Sequence, residues 1–307
     1  MEISDGPILF DKSFLQRLDP VEAKAFDMYQ TFVCDQLYME ILGDYSKDGG
    51  EKTFSLLAKK IPLLSRTTPG SFYLAAFNLL GYAIPMTGDL PVIEDNIIFS
   101  INHENIHQYL KTVWPETGLH ESEINVSGQR RAAVSEFPER FDSFIEIIHA
   151  KGYTAKTCTS LEKAYEQAIS YLLNCDASTI SSMIYVLLHL EDLPFSDLQT
   201  KDLIINACRN ENYQKIIDRA PYAAYVLGLE VFFQIALASK HFKKEGNSLT
   251  DMRYLHYLPF CKYFVSGDKL HKRLFPILKS DDQIILCDTE LKEWLQLQGS
   301  RPLDSSK

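Results

Sequence analysis

Toward the carboxyl end the hydrophobic period switches repeatedly between helical and extended within fifty residues, and this alternation restricts the fold more than anything else. Residues 250–258 put Met252, Leu255 and Leu258 on one helical face and stop at Pro259. Lys262-Tyr263-Phe264-Val265 then reads as a buried strand running into Ser266-Gly267-Asp268. Residues 270–274 form a helical turn or more, 283–287 another buried strand, and 290–298 a closing helix. At the other end, Pro7-Ile8-Leu9-Phe10 is a third short apolar run, ending at Asp11. Strands separated by helices imply an α/β fold, a parallel sheet flanked by helices.

Asp19-Pro20 resembles a helix start, with Asp as N-cap and Pro at the first helical position; helix is expected through Ala25 and Tyr29, and again to Leu37, Glu40 and Ile41. The Asp48-Gly49-Gly50 cluster ends this block. Residues 53–61 and 71–80 have helical character, and 97–101 reads as a short strand among many Pro and Gly residues. Helical spacing returns at Ala133, Phe137, Phe141, Phe144, Ile145 and Ile148, again over 161–173, and again over 178–190. The stretch 222–242 is apolar on nearly every side and belongs in a core.

The expected organisation is a discontinuous core of residues 1–48 plus 222–299, a mainly helical insertion at 49–221, and a frayed tail at 300–307. No repeats or low-complexity tracts interrupt it. Hydrophobic content of 46% and charged content of 23% over 307 residues suit a packed protein rather than a disordered one. The net charge of −10, from 41 acids and 31 bases, excludes a chain coated in basic residues. Any nucleic acid must then be held by a local basic patch. No apolar run of the 18–20 residues that span a bilayer is expected, and residues 1–11 lack the pattern of a signal peptide. Six scattered cysteines without a C-x-x-C pair point to reduced thiols and a cytoplasmic location without a membrane.

The acids carry the functional reading. Asp11 and Asp268 each stand at the carboxyl end of an expected strand, and Asp251 is expected to open the helix that leads into the second. Ligands of open α/β sheets bind beyond these ends. Carboxylates gathered there repel one another unless a cation lies among them, and oxygen donors favour Mg²⁺ or Mn²⁺ over zinc.

These same residues carry a resemblance. Ile8-Leu9-Phe10-Asp11-Lys12-Ser13-Phe14-Leu15 is similar to the opening strand of PIN-domain nucleases, with Asp followed two positions later by a hydroxyl residue. Asp251-Met252-Arg253-Tyr254-Leu255 through Phe264-Val265-Ser266-Gly267-Asp268 resembles that family's closing half, and Met39-Glu40-Ile41-Leu42 its second acidic position. Asp35 and Asp44 are rivals of Glu40 for that position. More narrowly, the chain resembles large bacterial PIN-like proteins with a helical insertion, over roughly residues 5–45 and 222–298. The long middle segment has no counterpart in a minimal PIN domain.

The resemblance implies an endonuclease hydrolysing phosphodiester bonds of RNA or single-stranded nucleic acid, with a toxin or anti-phage role as an extension. Asp11, Glu40, Asp251 and Asp268 would hold Mg²⁺ or Mn²⁺ as the catalytic and metal-binding set. Ser13 and Ser266 would orient the carboxylates, and Lys269, Lys272 and Arg273 would contact phosphates. The helical insertion would dock a regulatory protein or a second copy of the chain.

Two other functions are open. His103-Glu104-Asn105-Ile106-His107 matches the H-E-x-x-H pattern of zinc hydrolases, with Glu121 and Glu123 as candidate third ligands, but the extended motif with a third His is missing. A non-catalytic PIN-like binding module is the other.

Overall fold

The computed structural model describes residues 6–23, 26, 31–32, 34, 36–37, 40, 70–84, 86, 91–94, 97–100, 158–190, 198–242, 246–286 and 288–299. Strand β1 (Ile8–Phe10) leads through Asp11 into α1 (Lys12–Arg17) and the short α2 (Pro20–Ala23), followed by strand β2 (Thr31–Phe32). Next come α3 (Ser71–Leu79) and an antiparallel hairpin of β3 (Pro91–Glu94) and β4 (Ile97–Ser100). Five helices follow: α4 (Leu161–Asn174), α5 (Ala177–Leu190), α6 (Leu198–Cys208), α7 (Tyr213–Arg219) and α8 (Pro221–Ala238). Helix α9 (Gly246–Tyr254) runs into a 3-10 helix (Leu255–Phe260). Strand β5 (Tyr263–Val265), α10 (Lys269–Leu278), β6 (Ile284–Leu286) and α11 (Asp288–Gly299) complete the order.

The main sheet has the order β2-β1-β5-β6 and is parallel throughout. Its two central strands come from opposite ends of the chain, with Ile8 beside Tyr263 and Phe10 beside Val265. Every residue of β1 and β5 is buried, as expected for parallel strands covered on both faces. Gly6 permits the close approach at the start of β1. Its φ is +149°, and a Cβ there would lie 2.6 Å from the Lys262 side chain.

Helix α8 packs chiefly against α4 and α3, and one hydrophobic cluster takes in residues of the sheet and of these helices alike. Ala220, at its N-cap, offers no side-chain acceptor. Asn78 of α3 supplies one, its Oδ1 accepting from the backbone N–H of Tyr222 at 3.0 Å and of Ala223 at 3.2 Å. Two tyrosines of α8 then fix the 3-10 helix, Tyr225 donating to Leu255 O at 2.8 Å and Tyr222 to His256 O at 3.3 Å. The nearly uniform apolarity of α8 is thus explained by contact on most sides.

Helix stands at Pro20–Ala23 and again at Leu37 and Glu40, as expected, and Thr31–Phe32 between them pairs with β1 as an edge strand. Three expectations need correction. Asp251 does not open its helix, which begins at Gly246. Helices α6 and α7 and strand β3 add regular structure where none was singled out. Helix α8 is, by length and composition, apolar enough to cross a membrane, with mean hydropathy 1.4 over 18 residues, although 61% of that window is buried inside the protein. The expected helices at 53–61 and 133–148, Asp35, Asp44, Glu121, Glu123, the frayed tail, and the H-E-x-x-H segment from His103 to His107 lie outside the described residues.

Candidate active site

Beyond β1 the chain turns toward β2 on one side, and beyond β5 it turns toward β6 on the other. The neighbouring strands β1 and β5 therefore flank a topological switch point, where the diverging connections leave a crevice at the carboxyl edge. Asp11 stands at one lip and Ser266-Gly267-Asp268 at the other. Ladder bonds hold both lips in register, Asp11 N–H donating to Val265 O at 3.1 Å and Ser266 N–H to Leu286 O at 3.2 Å.

Asp11 is buried and caps α1. Its Oδ1 accepts from Phe14 N–H at 2.9 Å and from the Ser13 hydroxyl at 2.8 Å. The Ser266 hydroxyl donates to its Oδ2, and Nδ1 of His271 lies 3.5 Å from the same oxygen. Asp268 caps α10, Oδ1 accepting from Leu270 N–H at 2.5 Å and His271 N–H at 3.4 Å. Glu40 is held by the Tyr254 phenol, which donates to Oε2 at 2.6 Å. Tyr254 is buried, and burial followed by the charge of Glu40 keeps its phenol protonated far above neutral pH.

His271, the first-turn residue of α10, was not singled out by its sequence. It is buried among the acids, with Nδ1 2.7 Å from Ser266 Oγ and Nε2 2.7 Å from the carbonyl of Asp251. A carbonyl only accepts, so Nε2 carries a proton. Ser266 has one proton and gives it to Asp11, so Nδ1 donates as well and the ring is an imidazolium. Burial opposes that charge, but the bond and charge of Asp11, then the carbonyl and charge of Asp251, outweigh it and raise the His271 pKa. Burial likewise works against ionised Asp11, yet its bonds and charge contact with His271, and those from Ser266 and Phe14, hold its pKa below the ordinary value. The only sequence signal for His271 is its position three residues after Asp268, on the helix turn facing the strand ends.

Asp251 has the opposite character. Its half-buried carboxyl has no hydrogen bond among the described residues. Burial pushes its pKa up to about 7; His271 opposes the shift, while the charges of Asp268, Glu40 and Asp11 add to it. The four acids, two from each end of the chain, are therefore within electrostatic reach of one another. They stand wider than a ligand shell: among the described residues, no group of three or more His, Cys, Asp or Glu side chains is arranged to hold a metal ion. Coulomb interaction extends beyond ligand distances, so the two observations agree. The donor set is all carboxylate, which in charge and hardness suits Mg²⁺ or Mn²⁺.

Of the residues proposed to touch phosphate, Lys269, Lys272 and Arg273 are all exposed on α10, which begins at the crevice. Ser13 and Ser266 both donate to Asp11. No family model matches the chain, and neither does any curated protein or solved structure.

Proposed function

We propose that the protein is a nuclease that hydrolyses phosphodiester bonds of RNA or single-stranded nucleic acid with the help of Mg²⁺ or Mn²⁺. The feature that carries this reading is Asp251: a half-buried carboxyl with no hydrogen bond among the described residues, in charge contact with Asp268, Glu40 and Asp11, whose pKa burial pushes up to about 7. So much negative charge in one crevice is unfavourable for the fold, and a divalent cation relieves it. Its charge also matches the task of drawing a phosphate into an acidic crevice, which the carboxylates alone would repel.

Glu40, Asp251 and Asp268, which stand wider than a ligand shell, would have to draw together to supply oxygen ligands, with Asp11 beside them at the strand end. The bound ion would lower the pKa of a water and stabilise the leaving oxygen. Tyr254 orients Glu40, and the cap bonds of Asp268 fix its Oδ1 toward α10. Lys269, Lys272 and Arg273 give the backbone phosphates a local grip that the net charge of −10 does not provide elsewhere. The PIN-like arrangement, in which first and last acids meet across adjacent parallel strands, is part of this reading, as are a toxin or defence role and a cytoplasmic setting.

The test is cleavage of labelled RNA and single-stranded DNA by the full chain in Mg²⁺ or Mn²⁺, with Asp251→Asn and Asp268→Asn as controls. Metal-dependent cleavage that drops at least about a hundredfold in both variants is expected, a size typical of losing a group that stabilises developing charge. Cleavage that survives unchanged in both variants refutes the proposal.

A further inference from the structure

We infer that the exposed face of α10 is a track for the backbone of single-stranded nucleic acid, and that Lys279 is a phosphate-binding residue at its far end. The inference rests on the nuclease reading, because α10 starts at the crevice with Asp268 as its cap. The exposed residues of this element are Lys269, Lys272, Arg273, Pro276 and the C-cap Lys279, and the helix contains no acid. That is a run of one sign in a chain of net charge −10. A face that serves solubility alone mixes both signs. Among the described residues, Lys269, Lys272 and Lys279 pair with no carboxylate, and Arg273 donates to the carbonyl of His241 at 3.5 Å.

Acids bound the track at both ends. Asp268 stands at its head, and past Lys279 come Asp281 and Asp282, both exposed, with the Ser280 hydroxyl donating to Asp282 at 2.8 Å. Lys279 lies ten positions after Lys269, which is about 15 Å along a helix. A stacked strand advances about 3.4 Å per nucleotide, so roughly four nucleotides fit between the end cations. The face offers contacts to phosphates and none to bases. Its aromatic rings, Phe275 and His271, are buried, so neither can stack on a base. Such contacts fix a strand's position without reading its sequence. A lysine at a helix C-terminus also favours the helix dipole, but that contribution belongs to the free protein and does not depend on the length of a bound strand. The crevice at the head of the track favours a phosphodiester chain over an acidic peptide as the occupant.

Fluorescence anisotropy of labelled oligouridylates with the full chain in EDTA tests this, reading binding apart from metal and cleavage. For an octanucleotide, Lys279→Gln should weaken binding and make the slope of log affinity against log salt shallower by about 0.7, the value of one phosphate contact on a single strand. For a trinucleotide, which Lys269, Lys272 and Arg273 hold without it, the substitution should change neither. Lys279→Arg should keep the wild-type slope, and Lys215→Gln, at an exposed position of α7, should have no effect. Oligoadenylate should lose the same increment as oligouridylate. An octanucleotide slope unchanged in Lys279→Gln overturns the inference, as does an equal change in Lys215→Gln, which would show diffuse attraction. So does an oligoglutamate of equal charge that binds as tightly and depends on Lys279 in the same way, or a wild type that binds neither oligonucleotide. The nuclease reading survives an unchanged slope, whereas absence of cleavage in Mn²⁺ beside the expected Lys279 effect overturns that reading alone.

Discussion

The phenol of Tyr254 and the carboxylate of Glu40 are joined at 2.6 Å across 214 positions of sequence, and that one bond brings the early acid to the helix carrying Asp251. A hydrogen bond to a charged group contributes about 1.5–3 kcal/mol. Tyr254→Phe should lower stability by about that amount in urea denaturation. Because it removes one partner of Glu40 rather than Glu40 itself, metal-dependent cleavage should fall by about tenfold and recover in part at higher Mn²⁺. Loss of stability without any shift in metal dependence would detach Glu40 from the site.

The raised pKa of Asp251 predicts an unusual pH dependence. Its folded value of about 7 lies above the ordinary 3.8. The folded state therefore holds that proton more tightly, and stability falls as pH rises from about 4 to about 7. The full displacement corresponds to roughly 4 kcal/mol, reduced by solvent screening at a half-buried carboxyl. Raised His271 acts in the same direction, its contribution being complete below 6.5 and lost as pH climbs through the folded value. Asp251→Asn should thus melt higher than wild type at pH 8 and nearly level with it at about pH 4, while being inactive. Saturating Mn²⁺ should raise the wild-type melting temperature at pH 8 and leave the variant's unchanged.

The exposed cations of α10 make a salt-dependent prediction. Replacing Lys269, Lys272 and Arg273 with Gln should weaken binding of single-stranded RNA to a cleavage-deficient protein. The slope of log affinity against log salt should become shallower by about 2, near 0.7 for each phosphate contact on a single strand. An unchanged slope would place the nucleic acid elsewhere.

Away from the crevice, Glu230 of α8 lies 3.4 Å from His256 Nε2, and Nδ1 of that ring is 2.9 Å from Ser71 Oγ. Burial opposes ionised Glu230, but His256, facing it across 3.4 Å, and the charge of Arg253 hold its pKa below the ordinary value. Its contribution is present above the ordinary carboxylate range and is lost as pH falls through the lowered value. His256→Leu leaves that carboxylate buried without its partner and should cost about 3–5 kcal/mol at pH 7. At pH 4.5 the loss should shrink, because in the variant, with His256 gone, the buried Glu230 takes up a proton. Equal losses at both pH values would show that packing, not charge, sets the cost.

The carboxyl-terminal α/β alternation was legible because each element there is long enough, or bounded sharply enough, to show its period. Pro259 stops one element, and Gly267 separates β5 from α10. Strand β2 was not legible, since two residues cannot display alternation and Thr31-Phe32 becomes a strand only by pairing with β1. The start of α9 was misplaced because Asp251 follows Thr250 as a helix-opening acid would, while Gly246 and Asn247, which open the helix, are poor helix formers. For the site, Asp11 and Asp268 followed from strand ends alone. His271 did not, because its importance lies in what surrounds it: Ser266 from the preceding turn and a carbonyl twenty residues upstream. Sequence spacing encodes the period of an element but not which side chain fills the gap between two of them.

The adjacency of β1 and β5 has a consequence for how the chain is made. Ser266 reaches an aspartate 255 positions earlier, so that aspartate leaves the ribosome long before its neighbour is translated. Until β5 is translated the emerging polypeptide holds only half of the crevice, and a message cut short ahead of β5 yields a product unable to complete it. An activity hazardous to the cell's own RNA would be withheld until β5 has emerged.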